Sequence, residues 1–476
     1  MQTNAALYIG GEWVKPNSTE LIEVVNPATE EIIGTVPSGT DADADAAVRA
    51  ARAALAGWSQ LTIADRVEYV ERIADAMAKR AEEIASVVSA EQGMPIANSR
   101  RVQAGLPITV MKSYVDIGRQ HAAAEPERVG NSVVVEEPIG VCAFITPWNY
   151  PLHQIIGKVA PAMVAGCTMV LKPSSQTPLN AFVLAEIIHD VGLPAGVFNL
   201  VTGAGRTVGE ALCAHPDVDM ISITGSTEAG ARIAELGAPT VKRICQELGG
   251  KSANVILDGA DFAKAVPAGV IGMMLNCGQT CTALTRMIVP RSRQDEVVDL
   301  AVAALSSLAM GDPTSEANFL GPMVSAAQKS TVQDYIRTGI EEGARLVAGG
   351  PGDPQGHDIG FYVQPTIFAD VANSMRIAQE EIFGPVLCIV PVDSEEEAIR
   401  VANDSPYGLS GAVWADTDEH AVAVARRLQT GQVMVNGGRF NPLAPFGGYK
   451  ASGNGRELGR AGLHEFLETK AIQLPA

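Results

Sequence analysis

From Val141 onward, short strands that are apolar throughout alternate with helical stretches, and no other feature constrains the fold as strongly. The strands are VCAFI (141–145), TMVLK (168–172), VFNLV (197–201), MISIT (220–224) and RICQE (243–247). Helical segments lie between them near 152–165, 178–190, 206–213 and 227–236. Strands without a polar face, separated by helices, imply a parallel sheet covered on both sides. Such sheets bind ligands at the carboxyl ends of their strands. A second round begins near Leu248, with strands expected at 254–257, 287–290, 387–392 and 411–414 and a helix at 261–275. The first third reads as helical. Residues 41–57 are alanine-rich with early aspartates, and Thr62 caps a segment carrying Ile63, Val67, Val70, Ile73 and Met77 on one face. Residues 131–137 and 469–475 fit neither round and read as exposed edge strands, suited to pairing with another chain.

Composition narrows the partners. The chain of 476 residues carries 35 basic and 54 acidic side chains, a formal charge of −19. That charge disfavours nucleic acid and anionic membranes as partners, and no basic stripe overturns it. No apolar run reaches the eighteen or so residues of a membrane span, and the start MQTNAALYIGGEW lacks a secretory pattern. The expectation is a cytoplasmic protein. The seven cysteines are scattered without CxxC pairs and the histidines form no HExxH, so neither a disulfide framework nor a metal site is expected. Cys142, Cys167, Cys245 and Cys388 lie in apolar runs and read as core; Cys277 and Cys281 lie in a glycine-containing turn and need another account.

The chemistry-bearing residues gather at strand ends. In Asn276-Cys277-Gly278-Gln279-Thr280-Cys281, a turn leading into a helix would bring backbone N–H groups to the Cys281 sulfur and favour its thiolate. A packed structural thiol stays open on these residues alone. Glu247 ends an apolar strand before paired glycines, where desolvation would raise its pKa toward that of a general base; a salt-bridged strand-end carboxylate is the alternative. Asn149, in the proline-flanked loop TPWNYP, offers a preorganised amide donor to an oxyanion. Lys172 ends the next strand, placed for a ribose or phosphate. The turn Thr224-Gly225-Ser226 opens a helix whose N-terminus suits a pyrophosphate.

Together these pieces resemble the aldehyde dehydrogenase superfamily over nearly the whole chain. The matching segments are NPATEE (26–31), PWNYP (147–151), KPSSQTP (172–178), TGSTEAG (224–230), ELGGK (247–251), NCGQTC (276–281), EEIFGP (380–385) and PFGGYKASGNGRE (445–457). The resemblance implies an α/β fold with three parts. A Rossmann-like cofactor domain would cover 1–118 and 138–247, a catalytic α/β domain 248–445, and a small β oligomerisation element 119–137 and 446–476. It implies oxidation of an aldehyde to its acid with NAD or NADP, in a homodimer or homotetramer. Cys281 would be the nucleophile, Glu247 the base, Asn149 an oxyanion donor and Lys158 part of a proton path. Ile145, Thr146, Trp148, Lys172, Ser174, Ser175, Gly205, Thr224, Gly225, Ser226, Leu248, Glu381 and Phe383 would hold the cofactor. Glu457 matches a deeper carboxylate of the family.

Departures from the family pattern bear on specificity. Ser175 stands where many NAD-preferring relatives carry glutamate, which implies acceptance of NADP; a merely solvated serine is the alternative. The substrate tunnel would be lined by Tyr150, His153, Gly157, Leu275, Thr280, Thr282 and Phe440. Gly157 and Leu275 replace bulkier residues of relatives, which suggests a wide mouth for medium-sized or aromatic aldehydes. Cys277 could cap Cys281 as a disulfide, or simply pack. Two other activities compete. A CoA-acylating enzyme would have no use for Glu247, and a catalytically silent relative would be free to lose Cys281, Glu247 or Asn149.

Overall fold

The computed structural model describes residues 2–475. Two parallel-centred sheets dominate it. In the first, the strand order is Gly453–Asn454, Arg243–Glu247, Met220–Thr224, Val141–Ile145, Thr168–Lys172, Phe198–Leu200, Leu7–Ile9, Glu12–Val14. The five strands from Arg243–Glu247 to Phe198–Leu200 run parallel, and antiparallel strands close both edges. Chain order reverses beside Val141–Ile145: later strands add first on one side, then on the other. A crevice opens at the carboxyl ends of such a switch point.

The second sheet has the order Arg345–Ala348, Thr366–Ala369, Val386–Val392, Arg286–Pro290, Ala253–Ile256, Ser410–Trp414, Gln432–Val435. Glu247 ends a strand of the first sheet and Ala253 begins one of the second, so only the Leu248–Ser252 link separates them. The carboxyl edge of one sheet therefore faces the amino edge of the other. Each sheet has its own apolar core, with Phe144 and Phe182 fully buried in one and Val289 and Phe368 in the other.

The helices at Asp41–Ser59 and Ile63–Lys79 form as read, each with a capping box, Thr40 with Asp43 and Thr62 with Asp65. The reading of the whole first third as helical is corrected, because strands Leu7–Ile9, Glu12–Val14, Leu21–Val25 and Ile32–Pro37 precede the first helix. Their two-residue alternation is too short to stand out, and their partners lie elsewhere in the chain. The two unplaced segments pair with each other: Ser132–Pro138 runs antiparallel to Leu467–Gln473, with Glu127–Val129 on its far side. Within the expected oligomerisation element, Gly453–Asn454 joins the first sheet instead, and the helix Leu106–Ala122 runs across its start.

Candidate active site

Three side chains on different elements converge where the sheets meet. Asn149 follows the strand Val141–Ile145, in a loop stopped by the helix Pro151–Ala165, whose first residue is a proline. It is 3% exposed, and its carboxamide Nδ2 donates to the Gln279 carbonyl at 3.0 Å. Its own carbonyl accepts from Gln103 at 2.9 Å and from Asn276 at 3.1 Å.

The loop at 276–281 is tightly bent. Asn276 and Cys277 take left-handed backbone angles, φ 53° and 52°, which non-glycine residues adopt only when surroundings hold them. Gly278 follows at φ +68°, and a Cβ there would stand 2.1 Å from the Gly384 carbonyl. That contact explains both the glycine of NCGQTC and its coupling to EEIFGP. Cys281 is half-buried, and residues 281–285 run through a turn into the strand Arg286–Pro290. The expected helix after Cys281 is absent, so no helix N-terminus lowers its pKa. Burial raises the thiol well above its ordinary value, and the charges of Glu247 and Glu381 raise it further.

Glu247 is 1% exposed, and neither carboxylate oxygen has a hydrogen-bond partner among the described residues. Burial lifts its pKa well above the carboxylate range; Glu457 lifts it further and Lys158 opposes that. The salt-bridged strand-end alternative is therefore excluded. Lys158 does not bond Glu247: its ammonium pairs with Glu457 and donates to the Thr224 hydroxyl at 2.7 Å. Thr224 in turn donates to Gln154 at 3.3 Å. Its hydroxyl thus faces the buried network, which leaves the Thr224 backbone to border the crevice.

The other cofactor candidates border the crevice of the first sheet. Ile145, Thr146 and Lys172 stand at strand ends, and burial pushes the Lys172 ammonium down to about 8. Lys172 donates to the Pro173 carbonyl at 2.9 Å, and the Ser175 hydroxyl to that of Gly203 at 3.2 Å. Ser174 accepts from the Gln176 N–H, and Gly205 is exposed at the start of the Gly205–Gly209 turn. Ser226 follows Gly225 and caps the helix Thr227–Gly237, an exposed N-terminus open to an anion. Leu248 packs against Gly230. Across the crevice, Glu381 accepts from the Gly250 N–H at 2.9 Å, and burial raises its carboxyl to about 7. A Cβ on Gly249 would stand 2.3 Å from Glu381 and one on Gly250 2.6 Å from the Cys281 carbonyl, so the first glycine admits the carboxylate and the second the Cys281 turn. The Trp148 and Phe383 rings meet edge to face, 5.2 Å apart. Buried cation, free helix N-terminus, carboxylate and aromatic pair fit a nicotinamide dinucleotide.

The tunnel candidates divide. Tyr150 and Thr280 share a hydroxyl–hydroxyl bond of 2.7 Å. The His153 ring lies edge-on to Phe440 at 6.5 Å, Phe440 lies 6.0 Å from Phe446, and burial lowers His153 to about 4, leaving it neutral. Leu275 and Thr282 are half-buried near Cys281 in sequence. A Cβ on Gly157 would meet only Glu457 and Leu458, at 3.6 Å and 3.9 Å, so the glycine leaves space beside the buried ion pair. Cys277 donates its S–H to the Gly321 carbonyl at 3.0 Å in the second core, which favours the packing reading over the disulfide. Gln92 and Gln103 were not singled out by sequence reasoning, and Asn276 and Gln279 entered only as members of NCGQTC; a lone buried amide leaves no periodic or motif signal outside its fold.

The aldehyde dehydrogenase family model matches residues 13–472. A 3-succinoylsemialdehyde-pyridine dehydrogenase from a Pseudomonas species is 50% identical, the match covering 99% of each chain. Geranial dehydrogenase from Castellaniella defragrans is 43% identical over 98% of each. A mutant of aldehyde dehydrogenase C from Pseudomonas syringae, solved with NAD+ and octanal, superimposes with a TM-score of 0.97 at 52% identity, covering 99% of this chain and 98% of that one.

Proposed function

The chain belongs to the aldehyde dehydrogenase family and is an NAD(P)-dependent aldehyde oxidoreductase, and we propose that Cys281, Asn149 and Glu247 carry its chemistry. The observation that supports this most is the Glu247 carboxylate, buried beside Cys281 with both oxygens free of hydrogen-bond partners among the described residues.

The Cys281 thiolate adds to the aldehyde carbon, forming a C–S bond and an alkoxide. Asn149 and the backbone N–H of Cys281 stabilise that alkoxide, and losing one such donor costs about a hundred- to a thousand-fold in rate. A nicotinamide dinucleotide held in the crevice would supply the hydride acceptor that turns the adduct into a thioester. Glu247 then takes a proton from water, the hydroxide adds to the thioester, and the acid departs as Cys281 is released as thiolate. Lys158 and Glu457 form the buried relay through which that proton leaves. Lys172, Ser226, Glu381 and Phe383 would hold the dinucleotide.

The substrate is a medium-sized or aromatic aldehyde. The space beside Gly157 and the His153, Phe440 and Phe446 rings support this, as do relatives named for geranial and a pyridine semialdehyde. Ser175 leaves room for NADP as well as NAD. The exposed edge at Leu467–Gln473 serves to pair copies of the chain into a dimer or tetramer. Among the described residues no helix is long and apolar enough to cross a membrane, in keeping with a cytoplasmic enzyme. Reduced nicotinamide formation over an aldehyde panel tests the reading, with acid as the expected product whether or not CoA is present. Acyl-CoA as the product would replace it.

A further inference from the structure

We infer that Gln103, supported by Gln92, is a positioning residue for the oxyanion site, an inference that rests on the reading of Asn149 as an oxyanion donor. The two donors of that site belong to different sheets, Asn149 to the first and the Cys281 N–H to the approach to the second. Something must hold the two loops in register. A buried amide network does so.

The Asn149 carbonyl accepts two bonds, from Gln103 and from Asn276. Asn276 Nδ2 also reaches the Gln279 carbonyl at 3.2 Å, the same oxygen that receives the Asn149 carboxamide. That bond occupies one N–H of the Asn149 carboxamide and leaves the other without a partner among the described residues. Gln92 donates to Asn276 Oδ1 at 2.9 Å and accepts from the Met94 N–H at 3.0 Å. Gln279 closes the set through the Asn276 carbonyl and the Val324 N–H. Gln92 and Gln103 are 0% exposed.

Packing does not account for a glutamine at 103. Its Oε1 is buried without a partner among the described residues, which costs about what its one donated bond returns. An apolar side chain of the same shape would serve stability equally well. What glutamine adds is a fixed Asn149. Gln103 also sits in a π-helical stretch, Ser99–Gly105, the kind of irregularity often found at functional sites. A misplacement of about 1 Å is enough to cost roughly a hundredfold in rate.

The test is a double-mutant cycle. Gln103→Met is expected to lower kcat about ten- to a hundredfold, with KM and the cofactor Kd nearly unchanged. In an Asn149→Ala background the same change is expected to have no further effect. Gln92→Met, one bond more distant, gives a smaller fall and serves if Gln103→Met does not fold. Alkylation of Cys281 by iodoacetamide, which needs no oxyanion donor, should proceed at the parent rate. Equal losses in both backgrounds, no loss in the parent, or slowed alkylation overturns the inference. Full activity of Asn149→Ala alone overturns the oxyanion reading beneath it.

Discussion

Lys158 and Glu457 form an ion pair sealed in the protein, their side chains 0% and 8% exposed. Breaking such a pair from one side strands a buried charge, at a typical cost of about 3–5 kcal/mol. Lys158→Met is therefore expected to lower unfolding stability by about that amount. Lys158→Met combined with Glu457→Leu should recover most of it, because no charge is then left alone. Urea unfolding of both variants checks this. Loss of Lys158 also removes the charge that opposes the rise in the Glu247 pKa. The acid limb of kcat for Lys158→Met should accordingly move to higher pH.

Cofactor affinity should depend on pH through Glu381, whose carboxyl is raised to about 7 by burial. The ionised form accepts ribose hydroxyls better and attracts the cationic nicotinamide, so affinity for NAD+ is expected to rise with pH through that value and level off above it. Fluorescence titration at several pH values measures it, and Glu381→Gln should flatten the curve. An affinity falling over that interval would contradict the assignment.

Catalysis should follow the same sign. In the proposed chemistry Cys281 attacks as thiolate and Glu247 works as carboxylate, and both are held above their ordinary pKa values. The pH profile of kcat/KM should therefore climb on the alkaline side of neutrality.

Ser175→Glu places a carboxylate where the hydroxyl now meets the Gly203 carbonyl. Repulsion of the extra phosphate should lower kcat/KM for NADP+ by at least tenfold while changing that for NAD+ little. Steady-state kinetics with both dinucleotides decide it.

Phe440→Ala removes the ring between His153 and Phe446. Aromatic contacts of this kind contribute about 0.5–1.5 kcal/mol beyond their area, so kcat/KM for an aromatic aldehyde should fall several-fold or more. Acetaldehyde, too small to reach the rings, should be affected far less.

The sequence made the strand–helix rhythm from Val141 legible because fully buried parallel strands are apolar at every position. The same rhythm located Asn149, Lys172 and Glu247, which stand at strand ends. What escaped depended on distant partners. The strands before Thr40 are too short to carry a pattern, and the amides of Gln92 and Gln103 mean nothing until the chain brings them to Asn276 and Asn149. Cys281 was found by its motif, yet its environment was misread. The turn lacks a following helix, and burial, with nearby carboxylates, raises the thiol where free N–H groups were expected to lower it. The direction of the Thr224 hydroxyl, which bonds Lys158, was likewise not legible in the sequence.

The most direct test is the intact mass of enzyme quenched in acid during turnover with an aldehyde and NAD+. In Glu247→Gln, where water activation is removed, the account predicts one acyl group on Cys281 together with one equivalent of reduced nicotinamide. Cys281→Ala should show neither. Steady formation of reduced nicotinamide by Cys281→Ala, or turnover in Glu247→Gln at the parent rate with no acylated enzyme, would contradict it.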